Sequence, residues 1–335
     1  MVLSRKGYYA RKVRPIMATQ GKQDKFGLFI GGCSGSGAPR TFDKLFFDGD
    51  VLRKTEFFKR GRFGTRTTSL AVAAGKQVFF VDCGSGIINT NQFLGMAEFE
   101  GCEVYGCQTH EHEDHKDSIQ RNVFLGFKAA LLKKYYWPRL IIGKSVGGDS
   151  FKRAFLDWPV STPVVPEIFM PGGTFDLGET KVTTFLLKHG KDIGKDAQGY
   201  SVAYRIETAH GAIVIATDHE IDLADEKYVR EFAAFVSGAK VLYADLQYRR
   251  SEYDGVAGIC GGTPLRRVGW GHSTPDMLFR ALELCKNPVE RVVAGHHDPE
   301  RNESDLLLFE NEVAAGFAPL GTAVEFAVEG RYYAI

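Results

Sequence analysis

The chain has 335 residues, 44% of them hydrophobic and 25% charged, an ordinary globular composition with enough apolar material to bury a core without staples. Lys plus Arg number 42 against 41 Asp plus Glu, a formal charge of +1, so no global field draws the protein to long nucleic acid or an anionic membrane. The six cysteines are scattered without CxxC spacing, which argues for reduced thiols rather than a disulfide framework.

Residues 1–15 are basic and lack an apolar core of signal-peptide length, and no uncharged run reaches the roughly 18 apolar residues of a membrane helix. A cytoplasmic protein is expected. Residues 1–25, with Arg5, Lys6, Arg11, Lys12, Arg14 and Lys22 and little apolar periodicity, read as a solvated basic arm ahead of a single domain over 26–335. Residues 26–31 read as a strand, followed by the glycine-rich run GGCSGSG at 31–37. That run lacks the Lys-Ser/Thr ending of a phosphate-binding P-loop. Residues 38–66 mix aromatics with bases (Phe46, Phe47, Phe57, Phe58, Lys59, Arg60) and read as an insertion near a site mouth or at a subunit contact, the latter implying a homodimer.

From residue 67 the pattern sharpens. Short apolar runs at 68–73 and 77–81, joined by Ala74-Gly75-Lys76, predict a hairpin whose second strand ends at Asp82. The same device recurs: 212–216 ends at Thr217-Asp218, 241–244 at Asp245, and 292–295 at His296-His297. Buried strands that release a polar residue at their carboxyl ends are how α/β proteins gather chemistry at one sheet rim. Helices are predicted over 91–100, 118–134, 222–236, 274–286 and 303–315, the fourth opening at Ser273-Thr-Pro-Asp276 with a capping hydroxyl and a first-turn proline. Prolines at 159, 163, 166 and 171 break 157–173 into an extended connection, and 175–216 reads as a meander of four strands.

The densest chemistry lies at 108–116, QTHEHEDHK. His110, His112, Asp114 and His115 are four ligand types for a borderline metal within six positions, in a chain holding nine histidines. If this segment leaves a strand as a tight turn, His110 and His112 point one way while Asp114 and His115 reach a second position beside it, a geometry for two metals.

The HxHxDH run, together with Asp82, His189, Asp218 and a late histidine, resembles the metallo-β-lactamase fold superfamily of dinuclear metallohydrolases, from about residue 26 to the C-terminus. The segments at 188–200, Thr217-Asp218-His219-Glu220, Gly269-Trp-Gly-His272-Ser-Thr and His296-His-Asp-Pro-Glu-Arg301 resemble its phosphodiesterase-like branch, which includes tRNA 3′-processing endonucleases and cyclic-phosphate phosphodiesterases. The resemblance implies an α/β fold, a four-layer αββα sandwich with both metals at the rim between its sheets. It implies that His110, His112 and His189 hold one metal, that Asp114, His115 and His296 hold the other, and that Asp218 bridges them. Two divalent ions, zinc foremost with manganese or iron as alternatives, are therefore expected. Of the adjacent pair His296 and His297 only one can reach the metal, and the resemblance selects His296, leaving His297 behind it. Asp82 is expected to orient ligand histidines by accepting their other N–H. His272 matches a phosphate-contacting position and is expected to stabilise charge and protonate the leaving oxygen, with Asp114 accepting a proton while remaining a ligand. Its competing reading is a histidine that caps the following helix.

The expected reaction is hydrolysis of a small phosphodiester or cyclic nucleotide by a metal-bridging hydroxide. Arg249, Arg250, Arg266, Arg267 and Arg301 are candidates for phosphate recognition, Arg249 and Arg301 foremost, because a guanidinium grips two oxygens at once. Two departures from the family pattern, the polar Lys116-Asp-Ser118 and an extended glycine-rich loop at 255–262, bear on the substrate. The absence of a protruding Gly/Pro-rich arm and the near-zero charge favour a small substrate over folded RNA. The alternatives are a thioester, lactone or lactam hydrolase on the same metals, a tRNA-processing-like nuclease, and a non-catalytic ligand sensor.

Overall fold

The computed structural model describes residues 26–35, 45–48, 51–54, 61–96, 99–120, 132–138, 141–142, 145–146, 167–192 and 197–335. The basic arm at 1–25 lies outside these, as does most of 38–66. Of the latter, Leu45–Asp48 and Val51–Lys54 pair as an antiparallel hairpin of their own.

In chain order the strands are β1 (Phe26–Gly32), β2 (Leu45–Asp48), β3 (Val51–Lys54), β4 (Ser69–Ala74), β5 (Gln77–Val81), β6 (Glu103–Cys107), β7 (Leu132–Pro138), β8 (Ile141–Ile142), β9 (Ser145–Val146) and β10 (Glu167–Phe169). They continue as β11 (Thr174–Leu177), β12 (Thr180–Asp192), β13 (Ala197–Thr208), β14 (Gly211–Ala216), β15 (Val241–Asp245), β16 (Arg291–Gly295), β17 (Ala323–Phe326) and β18 (Tyr332–Ala334). Two seven-stranded sheets form, in the orders β10-β7-β6-β5-β4-β1-β18 and β11-β12-β13-β14-β15-β16-β17. Each is half antiparallel and half parallel. In the first, β5, β6, β7 and β10 run parallel; in the second, β14 to β17 do.

The inner faces meet in one apolar layer, where Leu28, Ile30, Val72, Phe79 and Val81 oppose Val202, Ile206, Ile213, Ile215 and Val293. The outer face of the first sheet is covered by the helix Ile87–Leu94 through Ile87 and Phe93. The outer face of the second is covered by Glu226–Val236, Pro275–Leu282 and Glu303–Phe317. This is the expected αββα sandwich. Near-continuous burial along β4, β5, β14, β15 and β16 follows from being covered on both faces.

Local chemistry sets the helix starts. Asp225 and Asn302 accept from Tyr228 N–H and Asp305 N–H, satisfying donors that have no partner inside the helix. Pro275 opens its helix as expected, but the Thr274 hydroxyl donates to Asp276 Oδ1 rather than capping. The helix expected over 118–134 is corrected at both ends. It begins at Glu113, inside the histidine run, and Leu132–Pro138 is strand β7, since the aromatic run Tyr135-Tyr-Trp137 packs better on a pleated surface than along a helix.

Candidate metal centre

All the chemistry-bearing strand ends point to one rim. β5 delivers Asp82, β6 delivers the 108–115 run, β14 delivers Asp218, β15 ends in Asp245 and β16 delivers His296. His189 comes from the long strand β12 where its pairing with β13 slips between Lys188 and Lys191. Asp82, Asp218 and His296 all adopt left-handed backbone, with φ of 62°, 53° and 56°. Non-glycine residues pay roughly 1–3 kcal/mol for such conformations, which persist where the surroundings over-determine them and cluster at functional sites.

The donor atoms fall into two groups that overlap at Asp218, and a third set, Asp245, His272 and His296, adjoins the second through His296. Those of His110, His112, His189 and Asp218 lie within 4.8 Å of one another, and so do those of Asp114, His115, Asp218 and His296. Asp218 belongs to both. Its Oδ2 is 3.6 Å from His110 Nε2 and from His189 Nε2 and 3.2 Å from His296 Nε2, while Oδ1 is 3.1 Å from His115 Nε2. His110 Nε2 and His115 Nε2 are buried and make no hydrogen bond. Buried polar atoms without partners are costly and call for an explanation, and convergent lone pairs around shared carboxylates are what divalent cations require. The donor set fits two such ions.

In four of these histidines, His110, His115, His189 and His296, the outward ring nitrogen is engaged, which turns the inward one toward the cluster. His189 Nδ1 donates to Gly271 O at 2.9 Å and His296 Nδ1 to Gln247 Oε1 at 3.2 Å. Asp82 serves both groups. Its Oδ2 accepts from His115 Nδ1 at 2.6 Å and from the Thr109 hydroxyl at 2.8 Å, and Thr109 Oγ1 in turn lies 3.0 Å from His110 Nδ1. Oδ1 accepts from Thr109 N–H and Gln108 Nε2. Asp82→Asn removes this shared anion and is expected to weaken metal binding about 10- to 100-fold, as read by chelator competition. The glycine-rich run at 31–35 also serves the centre. A Cβ on Gly35 would fall 2.3 Å from His296 Nδ1, so glycine there admits the imidazole instead of cradling a phosphate.

Electrostatics divide the two groups. Burial pushes His110 well below the ordinary imidazole value and takes His189 down to about 3, so both are neutral ligands at any physiological pH. Burial would also lower His115 and His296, but the charges on Asp218, Asp114 and Asp82 raise His115 well above its usual value. The Asp218 charge, with hydrogen bonds to Asp114 and Asp218, raises His296 to about 10. Asp218 itself, which burial would raise, is held well below the carboxylate range by His115 and His296. A cation entering the second group must therefore compete with protons there, above all the one His296 holds up to about pH 10. Affinity there should climb with pH from 6.5 to 8.5, and fall as pH drops, by roughly tenfold per unit for a displaced proton; chelator competition across that range measures it.

His272 is 6% exposed and lies beside both groups, its ring stacked on His296 at 4.6 Å and edge-on to His189 at 5.3 Å. Its Nδ1 is 2.6 Å from Asp245 Oδ2, leaving Nε2 as the nitrogen available to a bound group. It is not a helix cap. Asp245, Gln108, Thr109 and Gln247 carry functions that sequence reasoning did not assign. Asp245 was visible as one more polar residue at a buried strand end; nothing in the sequence distinguishes the other three.

Three expectations are corrected. His297 points to the far side of its strand, with Nε2 donating to Ala327 O and the ring stacked on Phe326, because consecutive residues face opposite ways. Arg301 is 1% exposed and committed to Glu252 and Asp305, and Arg249 to Glu252, Asp305 and Glu312, so neither guanidinium is offered to a phosphate. Arg301 also donates to Gln247 O, the residue that holds His296. Removing one partner of such a buried pair leaves an uncompensated charge, so Arg301→Ala should cost about 3–5 kcal/mol, read as a lowered Tm of the metal-free protein.

The sandwich and the rim cluster define the metallo-β-lactamase fold, and the chain has it. It is similar to the metallo-β-lactamase fold protein YhfI from Bacillus subtilis, at 14% identity and a TM-score of 0.57 over 93% of this chain and 100% of that one. It is also similar to yeast PDE1, at 15% identity and 0.62 over 93% and 100%, and to the short form of human tRNase Z, at 14% identity and 0.56 over 91% and 98%. No family model matches the chain, and no curated protein matches it by sequence.

Proposed function

We propose that this protein is a dinuclear metal-dependent phosphodiesterase acting on a small phosphodiester. The observation that carries this reading is His272: an imidazole outside both donor groups, backed by a carboxylate and set against the ligand histidines of each. His110, His112 and His189 would hold one ion, Asp114, His115 and His296 a second, with Asp218 shared, and such ions would supply a nucleophilic water near neutral pH and charge neutralisation at the non-bridging oxygens. Zinc suits this thiolate-free set of imidazoles and carboxylates.

His272 donates a proton from Nε2 to the departing alkoxide, and Asp245 fixes its tautomer and stabilises the imidazolium. Against the lactam reading, Asp218 stands where one lactamase class has a cysteine. Burial would raise Asp114, but His115 holds its carboxyl well below the ordinary range, which suits a ligand better than the proton acceptor first expected. A net charge of +1 supports a small substrate over a long polyanion.

The test is a parallel assay of the zinc-loaded protein with bis(p-nitrophenyl) phosphate, a chromogenic lactam and a thioester, with metal analysis. Phosphodiester turnover that is lost on chelation and restored by zinc is the expected result. Faster turnover of either acyl substrate, or none of all three with two metals bound, overturns it.

A further inference from the structure

The mechanism leaves Trp270 unused, although the structure builds it into the same rim. It is half exposed, a large apolar ring on a turn whose backbone packs against the segment carrying His189. Its two neighbours, Gly269 and Gly271, take φ of 84° and 98°, and Glu220 accepts both of their N–H groups at 2.7 Å, Oε1 from Gly269 and Oε2 from Gly271. The carboxylate thus tethers the turn on either side of the tryptophan, and the Tyr253 hydroxyl donates to Oε1 as well. The turn is pressed against the site: a Cβ on Gly190 would meet the Trp270 carbonyl carbon at 3.0 Å, and one on Gly271 would meet His189 Nδ1 at 2.3 Å. One side of the indole is occupied by the guanidinium of Arg267, 5.8 Å from the ring centroid, itself nearly buried and packed 5.2 Å from the Tyr248 ring. Half of the residue's surface remains exposed beside this contact.

We infer that Trp270 is a stacking platform for a planar aromatic group of the substrate, a nucleobase, whose phosphodiester lies at the metal cluster. This deepens the phosphodiesterase reading and rests on it. Trp270 is two residues from His272, at most roughly 7 Å along the chain, which is the scale of the ribose that separates a base from its phosphate. A ring held on a doubly tethered turn loses little freedom when a base stacks on it, and such stacking tolerates every base because each has a π-face.

The experiment titrates the zinc-loaded full chain with adenosine 5′-monophosphate and with ribose 5-phosphate by calorimetry and intrinsic fluorescence, comparing wild type, Trp270→Phe and Trp270→Ala. Expected are saturable quenching by the nucleotide that is lost in both variants, and nucleotide binding roughly tenfold weaker in Trp270→Ala, about 1.4 kcal/mol, with ribose 5-phosphate affinity unchanged. Trp270→Phe keeps a smaller platform, and its nucleotide affinity should fall between. Equal nucleotide affinity in wild type and Trp270→Ala, or equal affinity of wild type for the two ligands, overturns the inference. The phosphodiesterase reading is judged separately, by wild-type turnover of bis(p-nitrophenyl) phosphate, and can stand when stacking fails.

Discussion

Asp218→Asn is expected to lower bound metal from about two ions per chain to one or fewer and kcat/KM by on the order of 10³-fold or more. Among the described residues, Asp218 is the side chain shared by both donor groups, so it serves two positions at once. Two cations side by side repel, and an anion between them offsets that repulsion; an amide keeps the shape and loses the charge. Loss of several kcal/mol of charge stabilisation corresponds to the stated rate loss. Metal analysis beside kinetics decides: two ions retained with undiminished turnover would remove Asp218 from the centre.

His272→Ala should leave metal content unchanged, lower Tm because the buried Asp245 carboxylate loses its partner, and lower kcat by about 10²- to 10⁴-fold for a diester with an alkoxide leaving group. For a p-nitrophenyl ester, whose leaving group departs without a proton, the loss should be about tenfold or less. That contrast separates a proton donor from a residue that merely shapes the pocket, since loss of shape would slow both esters alike. Asp245→Asn should follow the same pattern more weakly, because it acts through the orientation of His272.

Much of this was legible in the sequence, for identifiable reasons. Ligand types are rare and their spacing is short-range, so the 110–115 run declared itself, and buried strands that end in Asp82, Asp218 or His296 gave their direction away. What could not be read was anything set by packing between distant segments. Gln108 looks like any polar residue until the fold brings Asp82 and the carbonyls of His110 and His115 to its amide. Arg249 and Arg301 looked like phosphate contacts because their type suits that work, but each is claimed by a nearby acid, Glu252 at i+3 and Asp305 at i+4, and the fold then lets each acid reach the other arginine as well. Of the helix expected over 118–134, residues 118–120 are helical, 121–131 lie outside the described residues, and 132–134 belong to β7 for a different reason: short runs of mixed Lys, Leu and aromatics have no decisive period, and sheet burial settled the matter there.

The division of the donors between the two sheets has a mechanical consequence. Asp82 and residues 110–115 leave the first sheet, whereas His189, Asp218 and His296 belong to the second. Ions gripped from both sides would act as a rivet through the seam where the two halves of the sandwich meet. Prising that seam apart and stripping the ions out become the same event, so tight loading by mass action should register as resistance to heat, and a chelator should loosen the sandwich from this edge first.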